Sequence, residues 1–193
     1  MRNDGRHADE RTGITRVSAP SFTVRAGTRH DLGMMADNLE EGFGTYRTWA
    51  AAGWEPPSRV EMLLGMMQRF TKDGSWCVVA FTDEGAAAGH ATARPERDEH
   101  DELRPGVARL THLFVRRQFW GSGVAHELHE HLLAGMSDRG FASACLWTPV
   151  GQARARAFYE RCGWRLSGAV DPENDLRLQL LEYVRELPPG SAA

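Results

Sequence analysis

Two periods of apolar residues alternate along this chain. Leu32, Met35, Leu39 and Phe43 recur at helical spacing, as do Leu63, Met67 and Phe70. Each run opens on a capping signal: Thr28 with Asp31, then Ser58 with Glu61 just after Pro56-Pro57. A hydroxyl followed three residues later by a carboxylate satisfies N–H groups that a helix start leaves without partners. Ala125, Leu128, Leu132 and Met136 mark a further helix. Gln152 to Arg161 marks the last one, closed by Gly163. Between the helices lie runs rich in aromatic and β-branched residues. Phe22–Arg25, Trp76–Phe81, Val107–Val115 and Phe141–Thr148 read as strands. Asp83-Glu84-Gly85 is a turn signal that brings Ala87–Ala93 back as a hairpin partner. Trp164–Ala169 and Leu176–Val184 predict a closing hairpin around Asp171-Pro172-Glu173-Asn174. Gly44–Pro57 and Arg94–Gly106 read as loops.

This order predicts an α/β (α+β) fold: a single domain with a mixed sheet flanked by helices. Residues 1–20 are rich in Arg, Asp, Gly and Thr and predict a disordered tail, 21–187 the folded domain, and 188–193 a frayed end. Hydrophobic residues are 41% of the 193 and charged residues 25%, enough apolar chain to bury a core. A net charge of -3 gives no support to a nucleic-acid partner. No apolar run approaches a membrane span, and the N-terminus shows no apolar signal region. Cys77, Cys145 and Cys162 are widely spaced and odd in number, so they read as reduced thiols of a cytoplasmic protein.

The most informative segment runs from Leu110 to Met136. A strand ends at Val115, a helix begins near Val124, and Gly121 and Gly123 lie at the junction. Free N–H groups and the dipole of a helix start favour a phosphate or pyrophosphate, and glycine lets it approach the backbone. A dinucleotide fingerprint would need a small residue where His126 stands, and a Walker loop would need Gly-Lys-Ser/Thr, which is missing. His126, His129 and His131 lack the i, i+4 spacing of a helical zinc motif, so no metal is expected. Pairs such as His126 with Glu130 instead fit a solvated helix face.

The stretch from Val115 through Trp120-Gly121-Ser122-Gly123-Val124-Ala125 resembles motif A of the GNAT superfamily of N-acetyltransferases. Gly123 and Ala125 match its two small positions, and Trp120 stands where the family has Gln or Arg. Downstream, Gln152 to Trp164 is similar to the family's motif B, with Ala155, Phe158, Tyr159 and Gly163 matching, Gln152 for Asn and Trp164 for the final Phe.

The resemblance implies a mostly antiparallel sheet with a splay between the strands preceding the two motifs, and acetyl-CoA as co-substrate. Leu113, Phe114 and Val115 would hold the pantetheine arm, Gly121, Ser122, Gly123, Val124, Ala125 and His126 the pyrophosphate, and Gln152, Ala155 and Phe158 would complete the cofactor site. Tyr159 would protonate the departing CoA thiolate. Some members carry a Glu on the strand before motif B as general base, and this chain has Trp147 there. His112 is the substitute by virtue of its near-neutral pKa, with His90 or a water chain as alternatives. Strand alternation groups Leu110, His112 and Phe114 on one sheet face and leaves open which face meets the substrate.

The expected acceptor is an amine, small or on a protein, that attacks the thioester directly. Tyr46, Trp49 and Trp54 could wall its pocket, and Glu96, Asp98, Glu99, Asp101 and Glu102 could attract its charge. The competing reading is a non-catalytic acyl-CoA-binding sensor on the same fold. The closing hairpin could also pair across a homodimer.

Overall fold

The computed structural model describes residues 21–72, 74–171, 174 and 176–190. The expected tail at 1–20 and residues 191–193 of the frayed end expected at 188–193 lie outside the described residues, and Gly190 lies against Ser137. Strand β1 (Phe22–Ala26) leads through a short turn to α1 (Leu32–Gly44). Then come α2 (Arg59–Lys72), β2 (Trp76–Thr82), β3 (Ala87–Arg97) and β4 (Leu103–Val115). Helix α3 (Val124–Asp138), β5 (Ser143–Pro149) and α4 (Ala153–Arg161) follow, and β6 (Arg165–Asp171) and β7 (Leu180–Glu186) close the chain.

The strands form one sheet in the order β1-β2-β3-β4-β5-β7-β6. Only β4 and β5 run parallel; every other pairing is antiparallel. Helices α3 and α4 cover one face through Leu128, Leu132, Met136 and Tyr159, which pack with Leu146, Trp164 and Tyr183. Helices α1 and α2 cover the other through Met35, Leu39, Phe43, Met62 and Met66. Burial of these side chains, each contributing about 1.5–3 kcal/mol before entropy is charged, fixes the helices on the sheet.

Both capping boxes form. Asp31 accepts from the backbone N–H of Thr28 at 2.8 Å, and the Thr28 hydroxyl accepts from His30 N at 3.3 Å. Arg25 on β1 clamps both oxygens of the same carboxylate, at 2.8 and 2.9 Å, and so ties the strand to the helix start. Ser58 N donates to Glu61 at 2.7 Å, and Glu61 N to the Ser58 hydroxyl at 3.2 Å.

The buried face of α2 is shifted from the expected one: Leu63 and Phe70 pack partly buried against the core, but Met67 does not. Met62 and Met66 are buried, while Met67 is 48% exposed beside exposed Val60 and Leu64. Apolar residues stand on both sides of this helix, so its spacing admits two phases, and packing on α1 selects the Met62/Met66 phase. The expected loop Arg94–Gly106 is mostly strand: β3 runs on to Arg97, β4 starts at Leu103, and residues 98–102 make the turn. The Asp98 carboxylate accepts from His100 N at 2.9 Å and Glu102 N at 3.0 Å, a side-chain-built turn. The polar residues of the turn itself are exposed, whereas Glu96 on β3 is buried.

The Arg25 guanidinium and the Thr28 donors hold the Asp31 carboxyl down at about 2. A depressed carboxyl contributes stability above its unfolded pKa of about 3.9, and that contribution disappears as pH falls toward its folded value. Asp31→Asn is therefore expected to cost about 1–2 kcal/mol in urea unfolding at pH 7, with the gap to wild type narrowing from pH 4 to pH 2.

Candidate active site

Strands β4 and β5 pair only from Val107 with Ser143 to Leu110 with Leu146. Beyond that point they part. β5 stays with β7 through Pro149, and β4 stays with β3 through Val115. Two local features accompany the parting. Thr92 pairs with His112 but Ala93 with Leu110, so Thr111 is the extra residue of a β-bulge. At the end of β5, Pro149 has no N–H to offer a ladder.

The bulge also corrects the expected alternation. Leu110 packs into the α3/α4 core with Leu113 and Val115. Phe114 packs on the α1/α2 side, and His112 reaches Arg69 of α2. His112 and Leu110 therefore lie on opposite faces.

The splay opens into a cleft of about 1870 Å³. One end is lined by Leu113, Phe114, Val115, Gly121, Gly123, Ala125, His126, Gln152, Ala155, Phe158 and Tyr159, and His112 lies further along. The fold thus brings together nearly every residue expected at the site. Ser122 and Val124 stand apart. Val124 is buried beneath the helix, and the Ser122 hydroxyl donates to Phe119 O at 2.7 Å.

Gly121 and Gly123 have φ of +84° and +96°, a left-handed backbone that other residues adopt with strain. A side chain added at either would meet nothing within 4 Å, so open space faces the turn. Among the described residues, the amides of Gly121, Gly123, Val124 and Ala125 have no intramolecular acceptor, whereas those of Trp120, Ser122 and His126 bond within the turn. Arg154 and Arg161 of α4 line the same end. Arg154 stacks on Trp120 at 3.6 Å, and Trp120 Nε1 donates to Val115 O at 2.9 Å. Unpaired amides, a helix start and two guanidinium groups make this end suited to a polyanion. Sequence reading missed both arginines. Their spacing of seven on α4 was the available signal.

Tyr159 is buried among Phe158, Trp164 and Tyr183, with ring centroids 5.5–6.4 Å away. Burial raises its pKa, with smaller contributions from Tyr46 and Cys162, so its phenol stays protonated at neutral pH. Tyr46 is pushed up to about 12 by burial, and its hydroxyl meets the Gln152 side chain. Tyr46 leads an aromatic cluster with Phe43, Trp49 and Trp54; of the three aromatics expected to wall the acceptor pocket, Tyr46 lines the cleft, whereas Trp49 and Trp54 pack against the α1/α2 core instead. Phe114 packs on Phe43 at 5.2 Å and fits because α1 carries Gly42: a Cβ there would come 1.9 Å from its ring.

His112 is held well below its ordinary value, first by burial, then by His90 and by Arg69, whose Nη1 lies 3.4 Å from His112 Nε2. Its Nδ1 is buried without a partner. His90 is fully buried and pushed down to about 3 by that burial. Asn38 Nδ2 contacts His90 Nδ1 at 3.2 Å while Asn38 Oδ1 accepts from Arg116 at 2.7 Å. His90 does not line the cleft, so of the two histidines His112 is the one placed to meet a ligand.

Of the expected acidic cluster, Asp98, Glu99 and Asp101 line the cleft. Glu96 lines it too but is buried, with Arg109 Nε 2.7 Å from Oε2, a close ion contact off the line of a hydrogen bond. Glu102 is not part of the lining. Trp147 lines the cleft opposite Glu182, its cross-strand partner on β7. Only strand pairing shows that carboxylate, since it lies far from both motifs in sequence.

One grouping among the described residues has metal-like proximity: His126, His129 and Cys162, with ligand atoms within 4.8 Å. His129 is already engaged at both nitrogens, receiving from Trp164 Nε1 at 2.9 Å and facing Glu130 at 2.9 Å. Among the described residues, no helix is long and apolar enough to cross a membrane.

A splayed mixed sheet with an anion-ready helix start at the splay defines a class, and comparison with known proteins supplies the family. The family model for acetyltransferases of the GNAT type matches residues 39–164, so this chain belongs to the GNAT acetyltransferase family. Solved structures agree on the fold. A phosphinothricin acetyltransferase from Sinorhizobium meliloti in complex with AcCoA superimposes with a TM-score of 0.66 at 21% identity, covering 89% of this chain and 91% of that one. The ribosomal-protein-S18-alanine N-acetyltransferase from Escherichia coli gives 0.60 at 20% identity, with 90% and 97% covered. PaiA N-acetyltransferase from Thermoplasma acidophilum in complex with coenzyme A gives 0.61 at 15% identity, with 84% and 98% covered. No curated protein matches the chain by sequence.

Gly123→Asp places a carboxylate in the open space before the unpaired amides and a side chain at a φ of +96°. Calorimetric titration is expected to show acetyl-CoA affinity reduced by roughly tenfold or more. Unchanged affinity would show that the ligand does not use this turn.

Proposed function

We propose that this protein transfers an acetyl group from acetyl-CoA to an amine by direct attack. The observation that carries the reading is one continuous cleft that joins the glycine turn, the parted ends of β4 and β5, Tyr159 and His112. The unpaired amides of Gly121, Gly123, Val124 and Ala125, with Arg154 and Arg161, would hold the pyrophosphate. The free edge of Leu113–Val115 would take the pantetheine arm, with Gln152, Ala155 and Phe158 beside it. Both CoA-bound neighbours and the family assignment support this cofactor.

The chemistry then follows from position. The neutral amine attacks the thioester carbonyl carbon, forming a C–N bond as the C–S bond breaks. Tyr159 gives its phenolic proton to the departing thiolate. A phenol whose pKa burial has raised is a reluctant acid in isolation, but a thiolate leaving into a dry cleft is a demanding base. The proton released by the amine passes to His112, and exchange with solvent resets both groups. Products are the amide and the CoA thiol.

Tyr159→Phe removes the proton and keeps the ring. Turnover, read as thiol release with a responsive amine, is expected to fall by roughly 100-fold or more while acetyl-CoA affinity stays within a few-fold. Equal turnover would remove Tyr159 from the mechanism. Tight acetyl-CoA binding by the wild-type protein with no thiol release on any amine would favour the sensor reading.

A further inference from the structure

Arginines crowd the half of the cleft farther from the glycine turn, and nearly all have a carboxylate beside them. Arg109 contacts Glu96 at 2.7 Å, Arg97 lies 3.7 Å from Asp101, and Arg104 lies 3.9 Å from Glu182. Arg69 of α2 differs. It lines the cleft, and among the described residues no carboxylate lies within 4.0 Å of it. Its polar neighbour is His112 Nε2 at 3.4 Å. One turn earlier on the helix stands Gly65, which also lines the cleft and leaves the guanidinium uncovered.

An unpaired guanidinium beside a proton acceptor works against that acceptor. Arg69 adds to the burial and the His90 contact that already oppose a charged His112. The titratable and charged groups facing His112 are His90 from β3 and Arg69 from α2, and neither is an anion. The arrangement makes chemical sense when the missing anion arrives with the ligand.

We propose that the acceptor is an α-amino carboxylate, its carboxylate held by Arg69 and its amine facing His112. The inference rests on the acetyl-transfer reading above. The spacing suits that class. With the two protein atoms 3.4 Å apart and hydrogen bonds of about 2.9 Å, a ligand whose amine and anion are near neighbours can meet both at once. One intervening carbon satisfies that. Guanidinium binds a carboxylate with two parallel bonds, and its charge is then cancelled where His112 must accept a proton. Phe43, Tyr46, Met62 and Trp147 line the surrounding cleft, so an apolar or aromatic side chain fits. A polyamine would set a second cation against Arg69.

The test is steady-state thiol release with L-phenylalanine, L-leucine, phenylalaninamide, phenethylamine and spermidine, for wild type, Arg69→Gln and Arg69→Lys. Acetyl-CoA affinity by calorimetry checks that each variant is folded. Wild type is expected to favour the free amino acids over their amide and decarboxylated counterparts by roughly 10- to 100-fold in kcat/KM. Arg69→Gln is expected to erase that preference, mostly through KM, and Arg69→Lys to restore part of it. Equal or better use of phenethylamine or spermidine by wild type overturns the proposal, as does an amino-acid preference that survives Arg69→Gln. Either result leaves acetyl transfer standing. Acetyl-CoA binding with no thiol release from any of these acceptors or a wider amine panel overturns the transfer reading itself, and this proposal with it.

Discussion

The parting of β4 from β5 after Leu110 and Leu146 is the constraint on which the rest of the structure depends. A parallel pair that stayed zipped would leave no room between the two halves of the sheet. Because the strands part, backbone groups of β4 that would have bonded β5 face open space, and buried backbone groups need partners. A ligand with amide groups of its own can supply them. The bulge at Thr111 lies just past the last shared pair, and it also turns His112 toward α2. One extra residue thus bears on both the opening and the orientation of the histidine.

Charge divides the cleft along its length. At the glycine turn lie the unpaired amides together with Arg154 and Arg161. At the other end arginines and carboxylates alternate and largely neutralise each other. Burial keeps the two groups between these ends in useful states: Tyr159 protonated and His112 neutral. Both follow from the cost of placing charge in a low-dielectric site.

Much of this was legible in the sequence. The two capping boxes, the glycine turn, the Phe158-Tyr159 pair and the succession of strands and helices along the chain are local signals, and local signals survive folding. The glycines at 121 and 123 could be read because a left-handed backbone demands them. What could not be read depends on long-range registration. The Thr111 bulge inverts the alternation of β4, and nothing in Leu110-Thr111-His112 announces it. The phase of α2 was ambiguous because Met62, Leu63, Met66 and Met67 offer two apolar faces, and α1 decides between them. Glu96, which a composition reading assigns to a solvated loop, is buried against Arg109 because β3 and β4 continue as paired strands through this segment. Arg69 and Glu182 join the site only through the packing of α2 and the pairing of β7 with β5.

The central claim is that the splay and the glycine turn hold acetyl-CoA. Thermal unfolding with and without excess acetyl-CoA, beside NAD and ATP, tests it most directly. A ligand at about a hundred times its dissociation constant stabilises a fold by roughly 2.7 kcal/mol. The unfolding temperature is expected to rise by several degrees with acetyl-CoA and by nothing comparable with NAD or ATP. No shift at millimolar acetyl-CoA, or an equal shift with all three, would contradict the claim.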